Sequence, residues 1–352
     1  MIHGGDIYTQ KIKQDFSVNM NPYPIPESVR ECLIRSISNM HHYPDPMQRE
    51  FRRKIAEVEK VKESQVVGGN GASEILLAIV RALMPKQALL ISPGFYGYRH
   101  ALQSVGCEVG EYLLQEADGF LLREDVLEYI SKDIDIVFLT NPNNPTGRNI
   151  DRGLLYKILD HCRRMQTAVV LDECFLRMSD ATGRESMGNA IEQYENLFIV
   201  NAFTKLFTLP GVRTGYLISR EENVEAVKRQ LSEWNMSVMS QEVSTHCCDI
   251  LLDTDFEEKS LDMIQTERDF LRKSMEEMGI CVYPSDTGFL LIHDKEYGPK
   301  EESLYQKLLS QQVLIRDCSN FNGLKQGYYR IAVKQHEENL ELIRKIRKCY
   351  ED

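Results

Sequence analysis

The stretch Ile134-Asp-Ile-Val-Phe-Leu-Thr-Asn-Pro-Asn-Asn-Pro-Thr-Gly147 decides the architecture. Its Ile-Val-Phe-Leu core is apolar without alternation, the pattern of a strand buried on both faces. The Asn/Pro/Gly run that follows must end the strand, because proline removes a backbone donor and fixes φ. The same grammar repeats on either side. Strands are expected at residues 88–91, 108–113, 134–139, 168–171, 197–200 and 215–218, with helices at 73–83, 96–104, 124–130 and 154–164 between them. This alternation predicts an α/β unit with a mostly parallel sheet between helix layers. Ligands of such sheets bind beyond the C-terminal strand ends. Residues 140–147, Asp172 and residues 201–205 all fall there.

Past Trp234 the pattern changes to a long charged helix at 257–278, strands at 280–283 and 289–292, and a helix at 302–309. Strands at 313–315 and 329–333 and a last helix from about 338 complete a smaller α+β C-terminal domain. The expected division is an N-terminal arm (1–30) packing on the small domain, a large domain (31–240) and the small domain (241–352).

A net charge of −11 over 352 residues, with no basic stripe, argues against a nucleic-acid partner. No apolar run approaches the ~18 residues that span a bilayer. The start, Met-Ile-His-Gly-Gly-Asp, has no basic segment followed by an apolar one, so a cytoplasmic location is expected. Nine scattered cysteines without a CxxC pair or Cys/His ligand spacing read as reduced thiols, not disulfides or a metal site. His41 and His42 lack a third ligand at suitable spacing and read as structural; no metal is expected.

Three chemical groups stand out in order: Asp172 after Ala-Val-Val-Leu, Lys205 between Phe203, Leu206 and Phe207, and Arg213 eight residues later. An aspartate after a strand is ordinarily a turn or capping residue, and most lysines are solvated. A lysine set among apolar residues straight after a strand is costly to bury unless its charge is removed, as condensation with an aldehyde would do. Together, an amine that can bond an aldehyde, an acid that can keep a pyridine nitrogen protonated and an arginine that can grip a phosphate are what pyridoxal 5'-phosphate (PLP) requires. Gly69-Asn-Gly-Ala-Ser-Glu74 opens a helix, where glycine and free N–H groups suit an anion.

In this order and spacing the chain resembles fold-type I PLP enzymes of the aspartate aminotransferase superfamily. The resemblance implies that Lys205 forms the Schiff base and shuttles a proton, while Asp172 pairs with the ring nitrogen. It places Gly71, Ala72, Ser73, Thr204 and Arg213 at the cofactor phosphate. Asn144 would meet the phenolic oxygen and Phe95 would stack on the ring, with Tyr96 or Tyr98 as substitutes. Tyr43, in His-His-Tyr-Pro-Asp-Pro, matches a tyrosine that reaches the neighbouring subunit's cofactor phosphate, which implies a homodimer. Arg330 would take the substrate α-carboxylate and Arg316 a second anion, with His3 and Asn19 helping to place the substrate.

Two branches are most similar: histidinol-phosphate aminotransferase and L-threonine O-3-phosphate decarboxylase of cobalamin biosynthesis. The opening His3-Gly-Gly5, residues 15–22 and residues 315–324 favour the decarboxylase, as does Phe175 where the aminotransferases usually carry tyrosine. Ala202 stands where many relatives have Ser or Thr, so Thr204 is expected to compensate. An anionic amino substrate and PLP are therefore expected, with transamination to 2-oxoglutarate as the alternative reaction. A non-catalytic PLP-fold regulator is the third reading, against which the intact Lys/Asp/Arg set speaks.

Overall fold

The computed structural model describes residues 4–180, 185–295 and 302–351. In chain order the strands are β1 (Gln14–Asp15), β2 (Val66–Asn70), β3 (Gln87–Ser92), β4 (Glu108–Leu113), β5 (Ile136–Thr140), β6 (Ala168–Asp172), β7 (Leu197–Asn201), β8 (Thr214–Ile218), β9 (Cys281–Val282), β10 (Phe289–His293), β11 (Val313–Leu314), β12 (Arg316–Asp317) and β13 (Tyr328–Ala332). The α-helices are α1 (Glu27–Ser36), α2 (Arg49–Glu59), α3 (Ala72–Leu83), α4 (Tyr96–Gln103), α5 (Arg152–Met165), α6 (Glu221–Lys228), α7 (Val238–Asp253), α8 (Phe256–Glu276), α9 (Leu304–Ser310) and α10 (His336–Glu351).

The main sheet has the order β2-β8-β7-β6-β5-β3-β4. Strands β3 to β7 pair in parallel, while β8 runs antiparallel to both β7 and β2. Alternate residues of single strands feed two separate cores, which is why the strands read as continuous apolar runs. Val137, Leu139, Val169 and Leu171 join α5, α2 and α7 on one face. Ile136, Phe138 and Val170 join α3, α4 and α6 on the other.

The smaller antiparallel sheet, β12-β13-β10-β9, is covered by α8, α9 and α10. The segment expected as one strand at 313–315 divides at Ile315: β11 pairs in parallel with β1, whereas β12 pairs with β13. The arm reaches this core through Phe16, whose amide donates to the Leu314 carbonyl at 2.7 Å. Helix α7 runs mostly beyond residue 240 yet packs on α1 and α2, in one core with Val29, Phe51 and Ile55 through Val243 and Cys247.

Some elements differ from expectation. Residues Glu124–Tyr129 form a six-residue 3₁₀ helix and not an α-helix, a run too short to recover the cost of α nucleation. Helices α1, α2, α6 and α7 had not been anticipated. All nine cysteines are free thiols. Among the described residues no helix is long and apolar enough to cross a membrane, and no cluster of three or more metal-ligating side chains occurs.

Candidate active site

The C-terminal ends of β5, β6 and β7 open into a cavity of about 290 Å³. Parallel pairing sets Thr140 opposite Asp172 and Asp172 opposite Val200, so three strand ends deliver their loops to one place. Lys205, Asp172, Asn144, Ala72, Ser73, Phe95, Thr204, Arg213, Asn19, Arg316 and Arg330 all line this cavity.

Asp172 is buried at the last position of β6. One carboxylate oxygen accepts the Cys174 amide at 2.9 Å and the other accepts the Tyr98 hydroxyl at 2.8 Å. Tyr98 also meets Thr140 Oγ1 at 2.8 Å. Its ring stacks on Phe138 and stands edge-on to Phe95.

Lys205 follows β7 in a turn whose carbonyl accepts the amide of Asn21. Its Nζ lies 5.7 Å from the Phe175 ring centroid. Burial pulls its pKa from 10.5 to about 8, with the charges of Arg330 and Arg213 adding to the effect and Cys174 and Asp172 opposing it. The amine therefore loses its proton far more readily than an exposed lysine does.

At the other end of the cavity Arg213, itself at φ +63°, donates to Ser73 Oγ at 3.1 Å and to the Asn70 carbonyl at 3.4 Å. Gly71 has φ +80°, and a Cβ there would overlap the Arg213 guanidinium. Gly215 of β8 likewise presses on the backbone of Gly71 and Ala72, leaving no room for a side chain. Two glycines thus bring an arginine, a serine and a helix start together, an arrangement suited to a phosphate. Thr204 Oγ1 donates to the Thr214 carbonyl at 3.3 Å.

Arg330, on β13, donates to Asn144 Oδ1 and to the Ser17 carbonyl at 2.6 Å. Its Nε is buried without a partner, and it forms no ion pair among the described residues. Burial lowers its pKa from the usual arginine value. Arg316 donates to the Asp317 carbonyl and to Asn320 Oδ1 at 2.8 Å, its guanidinium 5.0 Å above the Phe321 ring. Asn19 Oδ1 is also buried without a hydrogen-bond partner.

One expected residue stands apart from this group. Tyr43 is 80% exposed and packs on Trp234, with ring centroids 4.8 Å apart, away from the cavity. His3 lies outside the described residues. Sequence reasoning missed the Tyr98–Asp172 contact, although Tyr98 sits one helical turn from Phe95 and could have been placed beside it. It also missed Ser17, which acts through its backbone and leaves no side-chain signal.

The architecture is aspartate-aminotransferase-like, and the chain belongs to the family "Aminotransferase class I and II", whose pattern matches residues 11–346. Among curated relatives, a threonine-phosphate decarboxylase of Salmonella typhimurium is 30% identical over 336 residues, covering 95% of this chain and 90% of that one. Of solved structures, a histidinol-phosphate aminotransferase from Clostridium acetobutylicum superposes with TM-score 0.88 at 28% identity, covering 96% of this chain and 99% of the other. An L-threonine-O-3-phosphate decarboxylase from Porphyromonas gingivalis superposes with TM-score 0.85 at 25% identity, covering 97% of this chain and all of its own.

Proposed function

We propose that this chain is a PLP-dependent enzyme acting on an anionic amino compound, with decarboxylation of L-threonine O-3-phosphate as its reaction. One observation carries the reading. In a chain of net charge −11, four cationic side chains (Lys205, Arg213, Arg316 and Arg330) converge with one carboxylate, Asp172, on a single cavity. A buried guanidinium without an ion pair is unfavourable by itself. Arg330 therefore calls for an anionic ligand, and so does the half-open seat formed by Arg213 and Ser73.

The residues present fit PLP. Lys205 would hold it covalently, Asp172 would face its ring nitrogen, Phe95 would cover the ring, and Arg213 with Gly71, Ala72 and Ser73 would bind its phosphate. When bound, PLP supplies an electron sink for the bond broken at the substrate Cα. The chain does the rest. Hydrogen bonds from the Tyr98 hydroxyl and the Cys174 amide fix the position of the Asp172 carboxylate. Lys205, with a pKa near 8, can both take and return a proton. Arg330 would bind the α-carboxylate and Arg316 the second anion, and their placement would decide which Cα bond is aligned for cleavage.

Decarboxylation is favoured by the 30% identity to a threonine-phosphate decarboxylase and by Phe175 beside Lys205. The 0.88 TM-score to a histidinol-phosphate aminotransferase supports the second reading, amino transfer from histidinol phosphate to 2-oxoglutarate. We also propose a homodimer: Ile34, Ile37, Met40, Tyr43, Met47 and Trp234 form an exposed apolar region around the loop that bears Tyr43. Nine free thiols agree with a cytoplasmic location.

The test is a substrate panel followed for CO2 and keto-acid product together. Release of CO2 from O-phosphothreonine without an oxo-acid acceptor supports the first reading; glutamate formed from histidinol phosphate and 2-oxoglutarate selects the second. Borohydride reduction with PLP should place the label on Lys205.

A further inference from the structure

We propose that Glu111 is a positioning residue for substrate binding that acts through Asn322 on the loop holding Arg316. The proposal rests on the reading of Arg316 as an anion-binding arginine given above.

Glu111 lies on β4, the edge strand of the main sheet, and its side chain is only 19% exposed. One of its carboxylate oxygens is occupied within its own unit, accepting Ser92 Oγ at 2.9 Å and Arg99 Nη2 at 2.6 Å. The other accepts the Asn322 side-chain amide, which comes from the loop between β12 and β13. One carboxylate thus ties the large sheet to the C-terminal sheet's loop. Such a charge-assisted hydrogen bond holds its partners in fixed geometry more firmly than a neutral one.

Asn322 is the third of three consecutive residues with separate tasks. Asn320 Oδ1 accepts from Arg316 Nη2 at 2.8 Å, and the Phe321 ring lies 5.0 Å beneath the Arg316 guanidinium. The Phe321 amide bonds the Cys318 carbonyl and the Leu324 amide bonds the Phe321 carbonyl, so this is a tight turn that moves as a piece. Arg316 borders both the main cavity and an adjoining one of about 330 Å³ that Glu111 and Arg99 line. A guanidinium at such a junction has more than one opening to point into. Fixing the turn at Asn322 fixes the two side chains that hold Arg316, and so selects its orientation. Glu111 does not line the main cavity; its effect is on the entropy of ordering this loop when substrate binds.

The test uses the PLP-loaded enzyme and O-phospho-L-threonine. Asn322 is exposed, so Asn322→Ala should leave the melting temperature unchanged. KM should rise about tenfold in Asn322→Ala and Glu111→Ala, consistent with loss of one hydrogen bond to a charged group, while kcat stays within about twofold. The double variant should be no worse than the poorer single one, since both break the same tie. Amide hydrogen exchange across residues 318–324 should quicken in Asn322→Ala without substrate present. Unchanged KM, a fall in kcat alone, or unchanged exchange in that loop would overturn the proposal. If the wild type turns over neither O-phosphothreonine nor histidinol phosphate, the proposed function fails instead, and loop exchange alone then decides whether the Glu111–Asn322 tie exists.

Discussion

The Tyr98 hydroxyl donates to Asp172 Oδ2 at 2.8 Å and meets Thr140 Oγ1 at the same distance. The three groups come from α4, β6 and β5, and the whole set is buried. A carboxylate inside a protein holds its charge only if its lone pairs are answered. Here Tyr98 answers one oxygen and the Cys174 amide the other. Tyr98→Phe removes one of these donors while keeping the ring that stacks on Phe138. A hydrogen bond to a charged group contributes about 1.5–3 kcal/mol, so kcat should fall by roughly 10- to 100-fold with little change in KM. The PLP dissociation constant, measured on the apo protein by absorbance, should rise in parallel. A Tyr98→Phe enzyme with wild-type kcat would show that Asp172 needs no support from this hydroxyl.

Lys205 makes the ligand-free protein pH-sensitive in an unusual direction. Its folded pKa of about 8 lies below the ordinary lysine value of 10.5, chiefly through burial. Below about pH 8 the native state must bury a charge that the unfolded chain exposes, so the penalty is present in full there. It is relieved as pH rises from 8 towards 10.5, and stability from this group increases across that window. Lys205→Met should therefore stabilise the apo protein at pH 7 by on the order of 1–3 kcal/mol, with the gain shrinking as pH rises through that window, as read from urea unfolding at several pH values. The same variant should form no borohydride-stable PLP adduct. In the wild type, covalent loading of PLP should speed up as pH is raised through about 8, because only the neutral amine attacks an aldehyde.

Gly71→Ala tests the phosphate seat without removing a charged group. At φ +80° any side chain is strained, and here a Cβ would collide with the Arg213 guanidinium. The arginine must move off Ser73 to make room. We expect about tenfold weaker PLP binding and a stability loss of about 1–2 kcal/mol. Retention of wild-type affinity would mean that Arg213 does not contact the phosphate.

The parts of this site legible in the sequence are those built from side chains at strand ends. Asp172, Lys205 and Asn144 each follow an apolar run, and parallel pairing then forces them together. The expected strands at 134–139, 168–171 and 197–200 match β5, β6 and β7 for the same reason: burial on both faces leaves few polar residues to confuse the pattern. Helices α1, α2 and α7 were missed because they pack mainly on one another beside the sheet, and α7 carries Ser, Thr, Gln and His among its apolar residues. The division of residues 313–317 between two sheets was equally unreadable, since the apolar run Val313-Leu314-Ile315 continues from β11 into the break without a turn residue to mark it. Ser17 binds Arg330 through a carbonyl that every residue possesses. Its role is a matter of where the arm docks, which depends on Phe16 entering the small core.

Arg330 offers the sharpest separation of function from stability. Its guanidinium is held by Asn144 and the Ser17 carbonyl, yet Nε has no partner and no carboxylate pairs with it among the described residues. A charge placed this way costs stability in the empty protein and is compensated only when an anion arrives. Arg330→Met keeps a long side chain of similar reach and removes the charge. Two results should move in opposite directions. For the substrate, kcat/KM should fall by about 100- to 1000-fold, the scale expected when a buried charge pair loses one partner. For the ligand-free protein, the melting temperature should hold or rise, because the unpaired cation is gone even though two hydrogen bonds go with it. A fall of more than about 5 °C, roughly 3–4 kcal/mol for a chain of this size, would show instead that Arg330 is a structural clasp between the arm and the sheet, and that substrate anions are bound elsewhere.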